Sequence, residues 1–582
     1  MHPPQTGPDR QVTVADALVA LLARGGVRDV FGVAGSTIMP LLDGIAANGH
    51  IRYVGARHEQ SAADMASGYA RTSGRLGVVL THVGPGATSC VTSIVGAARD
   101  GVPMLLITGN EESETLVREP YHDWDIMGAM GAVTNFSYRI TRVDQVPHVL
   151  RRALGQAMRG AAQPVHIDLP EDIALATIPA EQARQWHDDA GPILDDIAAC
   201  GTAPATRIAP NARAVAGIAD MLAEATAPVL LIGEAAFPGS DPDAIVRRCV
   251  DLGVPYAATF GAHGGIGERP GYVGTIGRFG SRSTTAFVAE ADCVVALGAE
   301  LSDIDTVRWS LPKAGSRLAL VHPDTRKVDL RLPADIGVIA DAEEFLDQLT
   351  AELADRETRW PPQWLDRAAA VDLYDGPAGD TMAGDIENAP LDARLVGQIV
   401  QAAPASWAVA IDPGFGPLTL TAPARLGTSR FLYPYGFGYM GFAVPNAIGA
   451  VISGEVDGAV AVLGDGSFFM SMAAVESVAA LEVPVVVIVL DDGGFGSQRK
   501  KQREAYGGRN VGVDYDNPNI AAIGTALGLE SRWVTSAVEI ESFCRTLPQR
   551  RRGALLAVAR GKEQSGSWYE GSVRPLARAS GQ

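Results

Sequence analysis

The stretch Ala459 to Gly496 reads AVAVLGDG, then SFFMSMAAVESVAALEV, then PVVVIVLDDGGFG, and its pattern decides the fold. Two apolar, β-branched runs flank a segment of helical character, the pattern of one strand–helix–strand unit in a parallel sheet. Asp465 then falls where the first strand ends, and Asp491 and Asp492 where the second ends. Ligands of open α/β sheets bind outside the carboxyl ends of the strands, so these acids face one crevice. Gly464 and Gly466 let the backbone come close to a ligand, and Ser467 opens the next helix with N–H groups suited to a diphosphate. Two carboxylates beside a diphosphate make a hard oxygen site for Mg²⁺. Either fragment alone also reads as a tight turn, or as a loop after a strand.

The pair at this spacing resembles the thiamin diphosphate enzymes, whose signature is GDG followed by a downstream pair usually written NN. The resemblance implies that Asp465 and Asp492 are metal ligands and that the carbonyl of Gly494 is the third. Gly464, Gly466, Ser467 and Phe495 would then line the cofactor. Asp491-Asp492 departs from the family's asparagine pair; a carboxylate still supplies the oxygen, with one extra negative charge. Further upstream, the strand WAVAID ends at Asp412-Pro413-Gly414, a turn resembling a diphosphate-side loop that places Gly414 and Phe415 against the cofactor. YGFGYMGFAVPNAIGA resembles the acetolactate synthase segment that holds the pyrimidine. By that match the Gly438 carbonyl accepts from the 4′-amino group and the Met440 N–H reaches N3′. The Met440 side chain is the wedge that enforces a bent cofactor. Without the glycines around it, Met440 reads as ordinary core.

At the other end of the chain, Thr13 caps a helix VADALVALLARGG, after which VRDVFGV opens a βα alternation. FGVAGS, RHEQSAADMASGYAR and GPGATSCVTSIVGAARDGVPMLLITG resemble the pyrimidine-binding domain of acetolactate synthase and its relatives. The resemblance makes Glu59 the acid that contacts N1′ of the aminopyrimidine. Holding a proton there near neutral pH requires a desolvated carboxyl. Taken from the residues alone, Glu59 equally suits the first turn of a helix, where the dipole favours an acid.

Further positions bear on the substrate. Ser36 and His82 fall where benzoylformate decarboxylase, by resemblance, has a serine for the substrate carboxylate and a histidine for proton relay. That enzyme's second relay histidine aligns near Asp305 and is missing here. His122, in EPYHDWD, lies about where acetolactate synthases carry a glutamine. GSQRKKQREAYGG resembles the mobile helix that covers the active site, with Gln498, Arg499 and Gln502 meeting the substrate's anionic end; its alternative is a solvated basic face. Three functions follow: carboligation after decarboxylation of a 2-oxo acid, simple decarboxylation to an aldehyde, or a degenerate regulatory subunit. Glu59, Met440, Asp465 and Asp492 together speak against the third, and the domain resemblance leans toward the first.

These readings imply an α/β protein of three consecutive doubly wound parallel-sheet domains. They are a pyrimidine-binding domain (1–185), a Rossmann-like middle domain (213–353) and a diphosphate- and metal-binding domain (391–582), with linkers at 186–212 and 360–390. The middle domain has strands at APVLLIG, ADCVVALG and SRLALVH but no GxGxxG, so FAD, carried by some relatives, is possible and not supported by the sequence. With 48 Lys and Arg against 67 Asp and Glu in 582 residues, the net charge of −19 argues against nucleic-acid or anionic-membrane partners. The five cysteines show no CxxC spacing, and the N-terminus has no apolar targeting run. A cytoplasmic enzyme is expected. The family places its cofactor between the first domain of one subunit and the third of another, which implies a homodimer or homotetramer.

Overall fold

The computed structural model describes residues 11–199, 207–237, 242–262, 266, 269–373, 391–414 and 431–559. Three six-stranded sheets, each all-parallel, follow one another along the chain. The first runs Arg52–Gly55, Asp29–Gly32, Gly77–Thr81, Met104–Asn110, Pro164–Pro170, Phe136–Arg139 across the sheet. The third runs Phe431–Leu432, Trp407–Ile411, Gly458–Gly464, Val485–Asp491, Ala554–Ala559, Glu530–Val534. Both sheets therefore share the order 2-1-3-4-6-5 without an evident sequence repeat. The middle sheet runs Tyr272–Thr275, Tyr256–Ala258, Pro228–Ile232, Cys293–Leu297, Arg317–His322, Ile336–Ile339, the 3-2-1-4-5-6 order of dinucleotide-binding folds.

The deciding stretch folds as read. Gly458–Gly464 pairs in parallel with Val485–Asp491, and Val485 to Leu490 are buried throughout, as expected of a central strand covered on both faces. The intervening segment is two helices, Asp465–Met470 and Met472–Ala480, broken at Ser471. Thr13 caps Val14–Arg24 as the sequence predicts: its hydroxyl accepts from the Asp16 N–H at 3.0 Å, and the Asp16 carboxylate accepts from the Thr13 N–H.

Both expected linkers begin as helix. Gly191–Ala199 buries Ile193, Leu194 and Ile197 in the core of the first domain, and Pro362–Ala369 stacks Trp364 on Phe287 of the middle domain at 4.1 Å. The apolar spacing was there in the sequence, diluted by Asp, Gly and Pro.

The first and third domains of one chain are joined by two helices in unusually close contact, Glu59–Ser73 and Ala443–Ile452. A methyl on Gly68 would lie 2.1 Å from the Asn446 carbonyl oxygen, and one on Gly449 1.9 Å from that of Met65. Beside the crossing, the Tyr439 hydroxyl donates to the buried Asp64 at 2.5 Å, and Asp100 accepts from Arg71 and from the Gly436 N–H, both at 2.6 Å. Among the described residues no helix is long and apolar enough to cross a membrane.

Candidate active site

Two groups of side chains stand at strand ends on two different sheets. The first is in the third domain. Asp465 is the first residue of its helix and is almost wholly buried. Its Oδ1 accepts from the Gly466 N–H at 2.9 Å, and its Oδ2 from the Gly494 N–H at 2.8 Å and from Asn517 Nδ2 at 2.5 Å. Asn517 also donates to Asp491 at 2.8 Å, so one amide ties the two strand ends together. Burial first, and then the Asp492 carboxylate, push the Asp465 carboxyl up to about 6, against the opposing pull of Asn517 and the Gly494 N–H.

The loop after Asp491 is held by backbone geometry that only glycine tolerates. Gly494 has φ +150°, and a methyl there would lie 1.9 Å from the Val513 carbonyl oxygen. Gly466 faces Met440 and Phe495 at once: a methyl there would lie 2.6 Å from the Phe495 ring and 3.2 Å from Met440 Cε. Met440, Phe495, Gly466 and Asp465 are thus brought together. At Gly464 no atom of the described residues lies within 4 Å of where a side chain would begin. Gly438 has φ +67° and Gly441 φ +88°, shaping the segment that carries Met440. Gly414 follows the end of the Trp407–Ile411 strand, and Phe415 lies outside the described residues.

Asp412, which in the sequence marks only a strand end, organises that segment. It is fully buried and accepts from the Gly441 N–H at 2.8 Å and the Ala443 N–H at 2.6 Å. Burial pushes its carboxyl up to about 6, and the Ser467 hydroxyl, which bonds to it, works in the other direction. The Ser467 side chain is therefore engaged with Asp412 rather than directed at a ligand.

On the helix Gly496–Ala505, Gln498 is exposed. Arg499 is turned inward: it donates to Asp514 at 2.6 Å and to the Gly493 carbonyl at 2.9 Å, and lies 3.5 Å from the Asp492 carboxylate. Its guanidinium holds the acid loop in place, where the sequence suggested a substrate contact. Gln502 closes the following loop through Val511, accepting at 2.7 Å and donating at 3.1 Å. Half of the solvated-face alternative holds as well, since Lys501 and Arg503 are exposed while Lys500 is buried.

The second group lies at the strand ends of the first domain. Glu59 opens its helix half-buried in the single chain, near Tyr53 and His82. Glu59 Oε1, the Thr81 hydroxyl and His82 all converge on Gly86. His82 Nδ1 and the Thr37 hydroxyl are 2.7 Å apart, and His82 Nε2 and His122 Nδ1 are 3.0 Å apart with the rings edge-to-face. Burial and the neighbouring His122 lower the His82 pKa, so the ring is neutral at neutral pH. His122 sits at φ +75°, its carbonyl oxygen 2.1 Å from where a methyl on Gly84 would be. The exposed Ser36 begins the turn that carries Thr37. The sequence singled out both histidines separately; that they touch depends on the loop after Met104–Asn110, whose course no local pattern reveals. Asp305 is far from either group's chemistry in role: it is buried in the middle domain, accepting from Ser302 Oγ at 2.6 Å.

Strand-end acids, a glycine-framed opening and a methionine above it are the features of a cofactor-dependent α/β enzyme, and comparison with known proteins gives the class. The family model for the thiamine pyrophosphate enzyme N-terminal TPP binding domain matches residues 12–129, that for the central domain 215–349, and that for the C-terminal TPP binding domain 418–558. The chain belongs to the thiamine pyrophosphate enzymes. It is similar to the probable acetolactate synthase large subunit of Methanocaldococcus jannaschii, 26% identical over 90% of this chain and 88% of that protein. The acetolactate synthase isozyme 2 large subunit of Escherichia coli K12 is 27% identical over 92% and 93%. A probable 2-ketoarginine decarboxylase of Pseudomonas aeruginosa is 29% identical over 92% and 91%.

Proposed function

We propose that this chain decarboxylates a 2-oxo acid with thiamin diphosphate and Mg²⁺ and passes the acyl anion to a carbonyl acceptor, as an acetolactate synthase-like carboligase. The observation that carries the reading is the convergence of Asp465, Gly466, Met440 and Phe495 at one strand-end opening. The residues fit the cofactor and metal. Two neighbouring carboxylates whose mutual repulsion raises a pKa are a donor set that a hard cation relieves, and among the described residues nothing crowds Gly464, where a diphosphate would lie. The cofactor supplies an acidic carbon and an electron sink for decarboxylation.

Asp465 and Asp492 would hold the metal with the Gly494 carbonyl, while Arg499 fixes the loop from behind. Gly414, Phe415 and the Gly464–Ser467 turn would line the diphosphate. The Gly438 carbonyl and the Met440 N–H would orient the aminopyrimidine, with the Met440 side chain as wedge. Glu59 would hold a proton at N1′. Since Glu59 and Asp465 stand on different sheets, and Glu59 is half-exposed in one chain, we assign each site to two subunits, with a homodimer as the least assembly and a homotetramer compatible with it. Burial of Glu59 by the second subunit would supply the desolvation its role requires. Ser36, Gln498 and Gln502 are the candidates for the substrate's carboxylate end. Among the described residues Cys90, Cys249, Cys293 and Cys544 form no disulfide, and we place the enzyme in the cytoplasm.

One observation favours a second reading, release of an aldehyde. The Thr37–His82–His122 chain is a hydrogen-bonded path beside Glu59, along which a neutral His82 can take a proton from His122 at Nε2 and release one from Nδ1 to the Thr37 hydroxyl. Purified enzyme incubated with the cofactor, Mg²⁺ and pyruvate, benzoylformate or branched 2-oxo acids separates the two when CO₂, aldehyde and acyloin are tracked individually. Acyloin matching CO₂ supports carboligation. Free aldehyde without condensation product decides for the decarboxylase, and no CO₂ from any 2-oxo acid refutes both.

A further inference from the structure

In a sheet of order 3-2-1-4-5-6 the dinucleotide crevice opens between the first and fourth strands, here Pro228–Ile232 and Cys293–Leu297. In this chain that opening is stitched shut. The Gly233 N–H donates to the Leu297 carbonyl at 2.8 Å and the Ala235 N–H to the Gly298 carbonyl at 3.0 Å. A methyl on Gly233 would lie 2.2 Å from Ala299 Cα, and one on Gly298 2.2 Å from the Ala236 nitrogen. Among the described residues these glycines serve the approach of loop to loop across the place where a pyrophosphate would lie.

What stands above the seam is acidic. Glu234 follows the first strand directly and accepts from the Thr259 hydroxyl at 3.0 Å. Glu300 follows the fourth strand and is already paired with Lys327 and with Arg331, the latter at 2.8 Å. Asp305 is buried beside them. Glu234, Glu300, Asp305, Arg331, Tyr433 and Tyr435 enclose a cavity of about 20 Å³, room for about one water. The two tyrosines belong to the third domain. Phe260 of the middle domain packs its ring against Phe431, Tyr433 and Tyr435 at 5.5, 5.4 and 6.4 Å. Tyr433 to Gly436 leads into the segment carrying Met440, and Gly436 is held from the other side by Asp100.

We propose that the middle domain's nucleotide crevice is sealed in this protein and has become a clamp, seating the third-domain segment Phe431–Gly436 and binding neither FAD nor ADP. An incoming pyrophosphate would have to part the loop contacts at Gly233 and Gly298 and would meet Glu300, which already engages Lys327 and Arg331. The proposal does not depend on which reaction the enzyme runs.

The test uses the holoenzyme. Its visible spectrum as purified is expected to show no flavin band, and titration calorimetry with FAD and with ADP no saturable heat. A flavin bound one per chain, or saturable binding of either nucleotide, overturns the seal. For the clamp, Phe260→Ala, with Phe260→Leu as the milder partner, is followed by hydrogen exchange. Exchange of the Phe431–Gly436 amides should rise severalfold in either soluble variant while the Val485–Asp491 strand stays protected. Unchanged exchange in that segment overturns the clamp.

Discussion

Replacing Glu234 by glutamine should make the protein more stable at neutral pH and flatten its stability against pH. Glu234 is half-buried among Asp305, Glu300 and Tyr435, with Thr259 as its hydroxyl partner and Lys327 and Arg331 engaged by Glu300. Burial first, and then Asp305 and Glu300, raise its carboxyl from 4.5 to about 8. The folded chain therefore keeps a proton that the unfolded chain has released, and stability falls as pH rises between those two values, levelling off above the upper one. The slope is about 1.4 kcal/mol per pH unit for one proton, so keeping Glu234 neutral at pH 7 costs about 3 kcal/mol. Glutamine has the same shape, needs no proton and still accepts from Thr259. Thermal and urea unfolding of Glu234→Gln and the parent, measured from about pH 5 to about pH 8, should give curves that coincide at the acid end and diverge steadily toward the alkaline end. Parallel curves, or a variant less stable than the parent throughout, would refute the reasoning, since either means that Glu234 is ionised in the folded chain.

Glu59→Gln should nearly abolish exchange of the cofactor's C2 proton, followed by NMR, while cofactor binding is largely kept; unimpaired exchange removes the role given to Glu59. His82→Ala should slow aldehyde release far more than carbon–carbon bond formation, and equal losses in both product assays would leave the histidine pair a structural feature. Gly449→Ala places a methyl against the Met65 carbonyl and should cost about 1–3 kcal/mol or more in urea unfolding. Asp492→Asn, which restores the family's usual residue, should lower the charge at the site and lift part of the repulsion on Asp465. Magnesium titration by calorimetry is then expected to show weaker binding but a gentler dependence on pH, and tighter binding would contradict a ligand role for the carboxylate.

The sheets were legible because their strands are saturated with β-branched residues at the places where parallel strands lie buried, as in Val485 to Leu490. The acid pair was legible for the same reason, since Asp465 and Asp491 mark where those runs stop. In the middle domain only the long strands could be read. Tyr256–Ala258 and Tyr272–Thr275 are three and four residues long, and a pattern that short carries no period. Contacts made by folding back were invisible for a different reason. Asn517 bridging Asp465 and Asp491, Asp412 reaching past its own strand to the Gly441 and Ala443 amides, and His122 meeting His82 are joined across long stretches of chain. Arg499 illustrates the limit on charge patterns: among a run of basic residues on one helix, nothing in the sequence tells which one turns inward.

The place where Gly68 and Gly449 bring two backbones together has a consequence for anyone recombining this protein with its relatives. Because no atom can be added on either side, the two surfaces have to be inherited as a matched set. A chimera that takes residues 59–73 from one parent and 443–452 from another is expected to tolerate the swap only where both parents carry hydrogen at the point of closest approach. Natural exchange of these modules is bound by the same restriction.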